Sequence, residues 1–174
     1  IELIKKNYIV CVGLFLSIVL LVIFNEIFFD NKTFGSSDNL SPKAVGLALN
    51  EVMEKEGGYP HWQPWVFSGM PTAEAFTNIS QLYFPEYLFK IFSVPGMFIQ
   101  ISHFLFCGIG MVLLLRYLGC SYWSSLLGSI GFMITPYMVT MLVFGHGSQI
   151  MTAAYIPWIV MFAIKLWNDP KILN

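Results

Sequence analysis

The sequence predicts an all-α membrane protein with about four transmembrane helices and a long, aromatic-rich first loop. Hydrophobic residues make up 56% of the 174 residues and charged residues only 11%, whereas soluble domains carry about 25% charged residues. A soluble chain of this length would leave most residues in contact with water, so this much apolar surface indicates lipid. The net charge of −1 and the lack of basic runs argue against a nucleic-acid partner.

The first transmembrane helix is predicted within residues 1–29. An apolar run from Tyr8 to Phe24 extends past two polar residues to Phe29, and a span needs about 20 apolar residues. A cleaved signal peptide is the alternative interpretation. The hydrophobic stretch is long and no small-residue cleavage site follows it, so we expect an uncleaved anchor.

Residues 30–93 are predicted to form a water-facing loop that contains amphipathic or interfacial helices. Six of the ten acidic residues fall between positions 30 and 85. Ser41 and Pro42 suit the start of a helix, apolar residues follow at three- and four-residue steps, and Gly57 and Gly58 suit its end. A second short helix is expected near residues 82–94, after an ordered loop rich in Pro, Gly and aromatic residues.

Residues 94–174 are predicted to hold three further transmembrane helices. Their expected limits are residues 97–115, 123–144 and 150–167. Pro136 and Pro157 fall inside two of them, where membrane helices tolerate proline. The chain begins with Ile1 rather than Met and stops soon after an apolar segment, so we expect a piece of a longer protein.

The distribution of Lys and Arg predicts a multi-pass protein with a cytoplasmic N-terminus. Short cytoplasmic flanks are enriched in these residues, whereas long loops follow the rule poorly. In this orientation the 30–93 loop and the Gly145-His146-Gly147 turn share the outer side. The cytoplasmic cations would then be Lys5, Lys6, Arg116, Lys165 and Lys171.

Asp38 is a candidate catalytic residue because it follows the first span closely. A carboxylate at the outer membrane surface can act as a general base or hold a divalent cation. A solvated loop acid or a turn former is the alternative.

The segment His61-Trp62-Gln63-Pro64-Trp65 is a candidate binding surface. Its flat aromatic faces and its imidazole and amide groups suit a sugar or a lipid head group. Trp and Tyr also collect at membrane interfaces without any ligand, so an aromatic belt remains the alternative.

Three polar residues near the predicted outer side are further candidates. Gln100 and His103 lie three positions apart on one helix face, where a helix–helix hydrogen bond is the alternative to a cavity or permeation path. His146 lies between two glycines in the turn that faces the long loop, and a solvated turn histidine is its alternative. The sequence contains no Ser-His-Asp pattern, zinc-protease motif, P-loop or dinucleotide fingerprint.

The order of these features resembles the N-terminal part of the YfhO family of bacterial multi-spanning membrane proteins. The motifs that carry the resemblance are Trp62-x-Pro64, the run Phe67-Ser68-Gly69-Met70-Pro71-Thr72, then Tyr83-Phe84-Pro85 and Gly145-His146. The series from Trp62 to Pro85 is fairly specific, and the match covers most of the 174 residues. Family members continue with many more spans.

The resemblance implies a GT-C-like membrane glycosyltransferase of the bacterial inner membrane. Such an enzyme moves a sugar from a polyprenyl-phosphate donor to an envelope glycan or lipid acceptor on the extracytoplasmic side. Asp38 matches the position of the acidic catalytic residue of the first outer loop, as a base or as a ligand of a divalent cation. The implied substrate-binding residues are His61, Trp62, Gln63, Trp65 and His146.

The sequence departs from this pattern beside Asp38. Some members of the class carry two neighbouring acids, whereas Asn39 follows Asp38 here, so the requirement for a metal stays open. A non-catalytic membrane subunit or a transporter of the same architecture is the second hypothesis. In that case Asp38 and His146 would tolerate replacement, and Gln100 and His103 would act in helix packing or permeation.

Overall fold

The computed structural model describes residues 7–30, 32–72 and 83–169, which form two compact units. Within these residues, the helix bundle comprises 7–30, 32–33, 96–142 and 147–169. The loop unit comprises 34–72, 83–95 and 143–146. In chain order the elements are α1 (Tyr8–Ile23), α2 (Asn25–Phe29), α3 (Ser37–Glu56), β1 (Trp62–Gln63), β2 (Met70–Pro71), α4 (Phe84–Ile91), α5 (Gly96–Tyr117), α6 (Tyr122–Met133), α7 (Pro136–Phe144), α8 (Gly147–Ala153) and α9 (Ile156–Asn168).

Three helical stretches of the described residues are long and apolar enough to cross a membrane. They are Gly96–Tyr117, Tyr122–Phe144 and Gly147–Asn168, and they lie within a few residues of the predicted limits. This mostly helical architecture agrees with the predicted all-α membrane class. The first predicted span is not among these three, because α1 has only 16 residues and a break at Phe24 separates it from α2. The predicted count of about four spans therefore stays a prediction.

Proline sets the interruptions within two of the candidate spans. The second span changes from α6 to α7 immediately before Pro136, and the third changes from α8 to α9 immediately before Pro157. Proline has no N–H to donate to the carbonyl four residues earlier, so a regular α-helix cannot continue through it without losing a bond. Both spans therefore consist of two shorter helices.

Helix α5 lies at the centre of the bundle, and a small residue on it permits close helix packing. A Cβ atom added to Gly108 would lie 3.0 Å from Leu16 on α1 and 3.1 Å from Met133 on α6. The hydroxyl of Ser129 donates a 2.7 Å hydrogen bond to the carbonyl of Gly108. Small residues and interhelical hydrogen bonds of this kind drive helix association in membranes.

A second close approach joins α5 to α9. The indole Nε1 of Trp158 donates a 3.0 Å hydrogen bond to the carbonyl of Phe106. The indole also stacks on the phenyl ring of Phe106, with the ring centroids 4.9 Å apart. A Cβ atom added to Gly110 would overlap the indole ring. Gly110 is therefore the position that lets Trp158 lie flat against α5.

Helix α3 ends where the sequence predicts but begins earlier. Gly57 adopts the left-handed conformation with φ 75° and caps the C-terminus, as expected for glycine. The predicted start at Ser41 is wrong, because the helix begins at Ser37 with Ser36 as the extended N-cap residue. Pro42 consequently lies inside the helix, where it cannot donate to the carbonyl of Asp38.

Candidate functional site

Asp38 lies in the first turn of α3, in the loop unit. The N-terminus of an α-helix carries partial positive charge from its unpaired backbone N–H groups, which stabilises a nearby carboxylate. The corrected helix start therefore matters for the site. It turns Asp38 from a predicted loop acid into a helical residue whose backbone is fixed.

His146 meets Asp38 although the two residues are far apart in the sequence. The imidazole Nε2 lies 3.5 Å from Asp38 Oδ2, with 42% of the His146 side chain and 55% of the Asp38 side chain exposed. Both residues belong to the loop unit. His146 sits in the short link between α7 and α8, where Gly145 takes a φ of 92° that a residue with a side chain rarely adopts.

The exposure of this pair has a chemical consequence. Ion pairs between exposed side chains contribute little to stability, typically about 0–1 kcal/mol, and the imidazole carries charge only when protonated. Folding therefore gains little from the Asp38–His146 contact. Both groups remain accessible to a ligand or to a proton donor.

The other four predicted site residues lie together on or next to a small hairpin that the sequence did not predict. Strands β1 and β2 pair antiparallel, with Trp62 opposite Pro71 and Gln63 opposite Met70. The hydroxyl of Thr72 donates a 2.6 Å hydrogen bond to the carbonyl of Pro60, and its N–H donates to the carbonyl of His61 at 3.1 Å. These bonds close the base of the hairpin.

The turn of this hairpin has an unusual backbone. Phe67, Ser68 and Gly69 all have positive φ, at 50°, 62° and 114°. A Cβ atom at Gly69 would lie 2.7 Å from the ring of Trp62, so only glycine fits there. Phe67 and Ser68 are uncommon in the left-handed region, and such strain often accompanies a functional segment.

Burial separates the hairpin residues into two kinds. Trp62 and Trp65 are 56% and 54% exposed, and Phe67 is 79% exposed. His61 is exposed as well, whereas Gln63 is completely buried. The exposed rings can meet a ligand or a membrane directly, but Gln63 could reach a ligand only if the hairpin opened. Its predicted role in binding stays a prediction.

Gln100 and His103 belong to the helix bundle and engage in helix packing. His103 is 5% exposed, and its Nδ1 lies 2.7 Å from the carbonyl of Ile99 in the same helix. Gln100 abuts Gly147, where a Cβ atom would overlap the amide of Gln100. The contact of Gln100 with Gly147 joins α5 to α8, whereas the His103 contact lies within α5.

The resemblance leaves open whether a metal is required, and the described residues do not supply a full set of ligands for one. No group of three or more His, Cys, Asp and Glu side chains converges anywhere in residues 7–30, 32–72 and 83–169. Asp38 and His146 supply two donors, whereas Mg²⁺ and Ca²⁺ take six or more ligands, mostly oxygen. We therefore assign no step of a reaction to a metal.

Sequence reasoning missed the hairpin turn and one basic residue of the bundle. The available signal was Ser68-Gly69, a dipeptide that marks turns and loops in general. Arg116 was considered only for orientation, although it lines a cavity in the bundle. Comparison with known proteins adds no assignment, since no family model, curated protein or solved structure matches this chain.

Proposed function

We propose that this chain is the N-terminal part of a GT-C-like membrane glycosyltransferase of the YfhO type. It would transfer a sugar from a polyprenyl-phosphate donor to an acceptor in the bacterial envelope. The observation that carries the proposal is the contact of Asp38 with His146. Two residues selected from separate parts of the sequence lie 3.5 Å apart, as expected if they serve one site.

In the proposed reaction Asp38 acts as the general base. The Asp38 carboxylate takes the proton of the acceptor hydroxyl while the acceptor oxygen bonds to the anomeric carbon of the sugar. The bond from that carbon to the phosphate oxygen breaks, and polyprenyl phosphate leaves with the electron pair. This single displacement inverts the configuration at the anomeric carbon.

His146 would act on the donor side of the same site. A protonated imidazole can donate a charge-assisted hydrogen bond to a phosphate oxygen. It would thereby stabilise the negative charge that develops on the leaving group. His61, Trp62 and Trp65 would offer aromatic faces and a hydrogen-bonding group to the sugar or the acceptor.

The decisive experiment compares two exposed acids. Asp38→Asn, made in the complete protein in its own membrane, should abolish transfer from a labelled polyprenyl-phosphate sugar while expression and helical content stay unchanged. Asp30→Asn is the matched control, since Asp30 is equally exposed and lies 3.7 Å from Lys32. His146→Gln should reduce transfer strongly. Unaltered product formation by Asp38→Asn would overturn the proposal.

The proposed topology places the N-terminus in the cytoplasm and Asp38 outside the inner membrane. A cysteine at position 38 should then react with an impermeant maleimide added to intact cells. A cysteine at position 165 should react only after the cells are opened. Labelling of position 38 only in opened cells would contradict this orientation and the extracytoplasmic reaction with it.

The alternative function is a non-catalytic subunit or transporter. Gln100 and His103 pack within the bundle, which agrees with the helix-packing role that this alternative gives them. Full activity of both Asp38→Asn and His146→Gln in the native membrane would favour it.

A further inference from the structure

A cavity of about 310 Å³ opens at one end of the helix bundle, between α1 and α5. The lining residues nearest the helix ends form a polar rim of Asn7, Tyr8 and Arg116, and Tyr122 at the start of α6 also lines the cavity. The tyrosine and arginine side chains lie at the ends of the helices, where aromatic and basic residues meet lipid head groups. None of the residues that line the cavity belongs to the loop unit, which holds Asp38 and His146.

The rest of the cavity lining is apolar. Ile9 and Val10 contribute from α1, and Val112 and Leu113 contribute from α5. Both Ile9 and Val10 are largely exposed in the isolated chain. The cavity thus combines a polar rim with an aliphatic wall that runs along two membrane-facing helices.

Arg116 is held in place by a backbone carbonyl and an aromatic ring. Its guanidinium donates to the carbonyl of Cys120 and lies 3.9 Å above the ring of Tyr122. Within residues 7–30, 32–72 and 83–169, no carboxylate forms an ion pair with it. A guanidinium has five N–H donors, so several remain for an anion.

Tyr8 fixes the opposite side of the rim. Its hydroxyl donates a 2.9 Å hydrogen bond to the carbonyl of Tyr122, and the two rings meet edge to face at 4.6 Å. The rings hold α1 close to the start of α6 and shape the opening above Arg116. A rigid, positively charged rim above an aliphatic wall matches the two chemical halves of a phospholipid.

We propose that this cavity binds an anionic phospholipid. The phosphate would accept hydrogen bonds from Arg116 and from the amide of Asn7. The acyl chains would lie along Ile9, Val10 and Leu113. Basic pockets between transmembrane helices bind anionic head groups through this combination of charge and apolar contact. The proposal does not depend on the proposed sugar transfer.

The test measures lipid retention by native mass spectrometry of the purified chain. Detergent-solubilised protein is incubated with phosphatidylglycerol or with phosphatidylcholine of the same acyl composition. The wild type should retain phosphatidylglycerol preferentially, and Arg116→Gln should bind it about tenfold more weakly, because one charge-assisted hydrogen bond is lost. Arg116→Lys keeps the charge but not the planar guanidinium, so its affinity for phosphatidylglycerol should lie between those of the wild type and Arg116→Gln.

Lys165→Gln is the matched control. Lys165 is a cation near the end of α9, and its Nζ lies 5.4 Å from the ring of Tyr117, outside the cavity. This variant should retain phosphatidylglycerol as the wild type does. Equal retention of both lipids by the wild type would overturn the proposal, and so would an equal loss of binding in Lys165→Gln and Arg116→Gln. If circular dichroism shows that Arg116→Gln has lost its helices, the retention of phosphatidylglycerol by Arg116→Lys tests the proposal instead. Retention by Arg116→Lys equal to that of the wild type would then overturn it.

Discussion

Between the helices of the bundle, two polar side chains bond to backbone carbonyls, whereas the loop unit brings an aspartate and a histidine together near solvent. Ser129 and Trp158 each donate to a carbonyl of α5. Asp38 and His146 instead form an exposed pair. In lipid an unpaired polar group is costly, so helices satisfy it internally. The difference shows how the candidate pair arises, because the loop unit brings two titratable side chains together where both stay accessible.

The two units also use glycine differently. In the bundle, Gly108 and Gly110 have ordinary helical backbones and provide space for a neighbouring side chain. In the loop unit, Gly69 provides a positive φ as well as space beneath Trp62. Substitution of glycine by alanine therefore tests packing alone in one unit, and packing together with backbone conformation in the other.

The largest effect on global stability is expected for Gly110→Ala. The added methyl group would overlap the indole of Trp158 and displace it from the carbonyl of Phe106, and overpacking of this kind costs about 1–3 kcal/mol. Detergent-induced unfolding followed by circular dichroism measures the change. Gly131→Ala on α6 is the control, since no atom lies within 4 Å of its added Cβ. Equal unfolding curves for the two variants would disprove the close contact.

Gly69→Ala should destabilise the hairpin but not the bundle. Placing a side chain in a left-handed conformation costs about 1–2 kcal/mol, and the Cβ would also press on the Trp62 ring. Limited proteolysis should cut the variant faster near the hairpin while the unfolding of the bundle is unchanged. Gly58→Ala, with open space around its Cβ, should behave as the wild type. A parallel loss of bundle stability would contradict the division into two units.

A smaller effect is expected for Ser129→Ala in the bundle. The variant loses the interhelical bond to the carbonyl of Gly108, and such bonds in membrane proteins average about 0.6 kcal/mol. Ser17→Ala is the matched control, because the Ser17 hydroxyl bonds to Gly13 in its own helix at 2.8 Å. Detergent unfolding should separate the two variants. Greater destabilisation by Ser17→Ala would show that the α5–α6 bond is unimportant.

The smallest effect concerns the pH dependence of α3. Lys55 donates a 2.8 Å hydrogen bond to Glu51, and this bond, with the positive charge, lowers the pKa of the Glu51 carboxyl. Because the folded-state pKa is lowered, the stabilisation is present above the unfolded-state pKa and is lost as the pH falls through the folded-state value. In Lys55→Met the pKa of the Glu51 carboxyl, measured by NMR titration, should be higher than in the wild type. Lys43→Met should leave it unchanged, and an identical shift in both variants would refute the pairing.

The sequence predicted the bundle well because hydropathy acts over long segments. Helix α5, observed over Gly96–Tyr117, differs from its predicted limits by one or two residues at each end. Helix α3 was harder, since Ser41-Pro42 is a better local start signal than Ser36-Ser37. The helix begins at the earlier position although Pro42 cannot donate a hydrogen bond within it.

The site was only partly predictable. Asp38 and His146 could each be selected as polar residues beside predicted spans, but no local pattern encodes a contact between residues so far apart. The burial of Gln63 was likewise hidden, because it depends on the pairing of β1 with β2. Hydropathy describes single segments, whereas the site arises from the way the segments meet.

The contact between Asp38 and His146 is tested most directly by crosslinking. A protein whose native cysteines are replaced by serine carries cysteines at positions 38 and 146 and is treated in membranes with a short bifunctional maleimide. The control pair is 54 and 146, since Glu54 lies about 24 Å along α3 from Asp38, at about 1.5 Å per residue. We predict efficient crosslinking of 38 with 146 and almost none of 54 with 146. Equal yields for both pairs, or none for the first, would contradict the account.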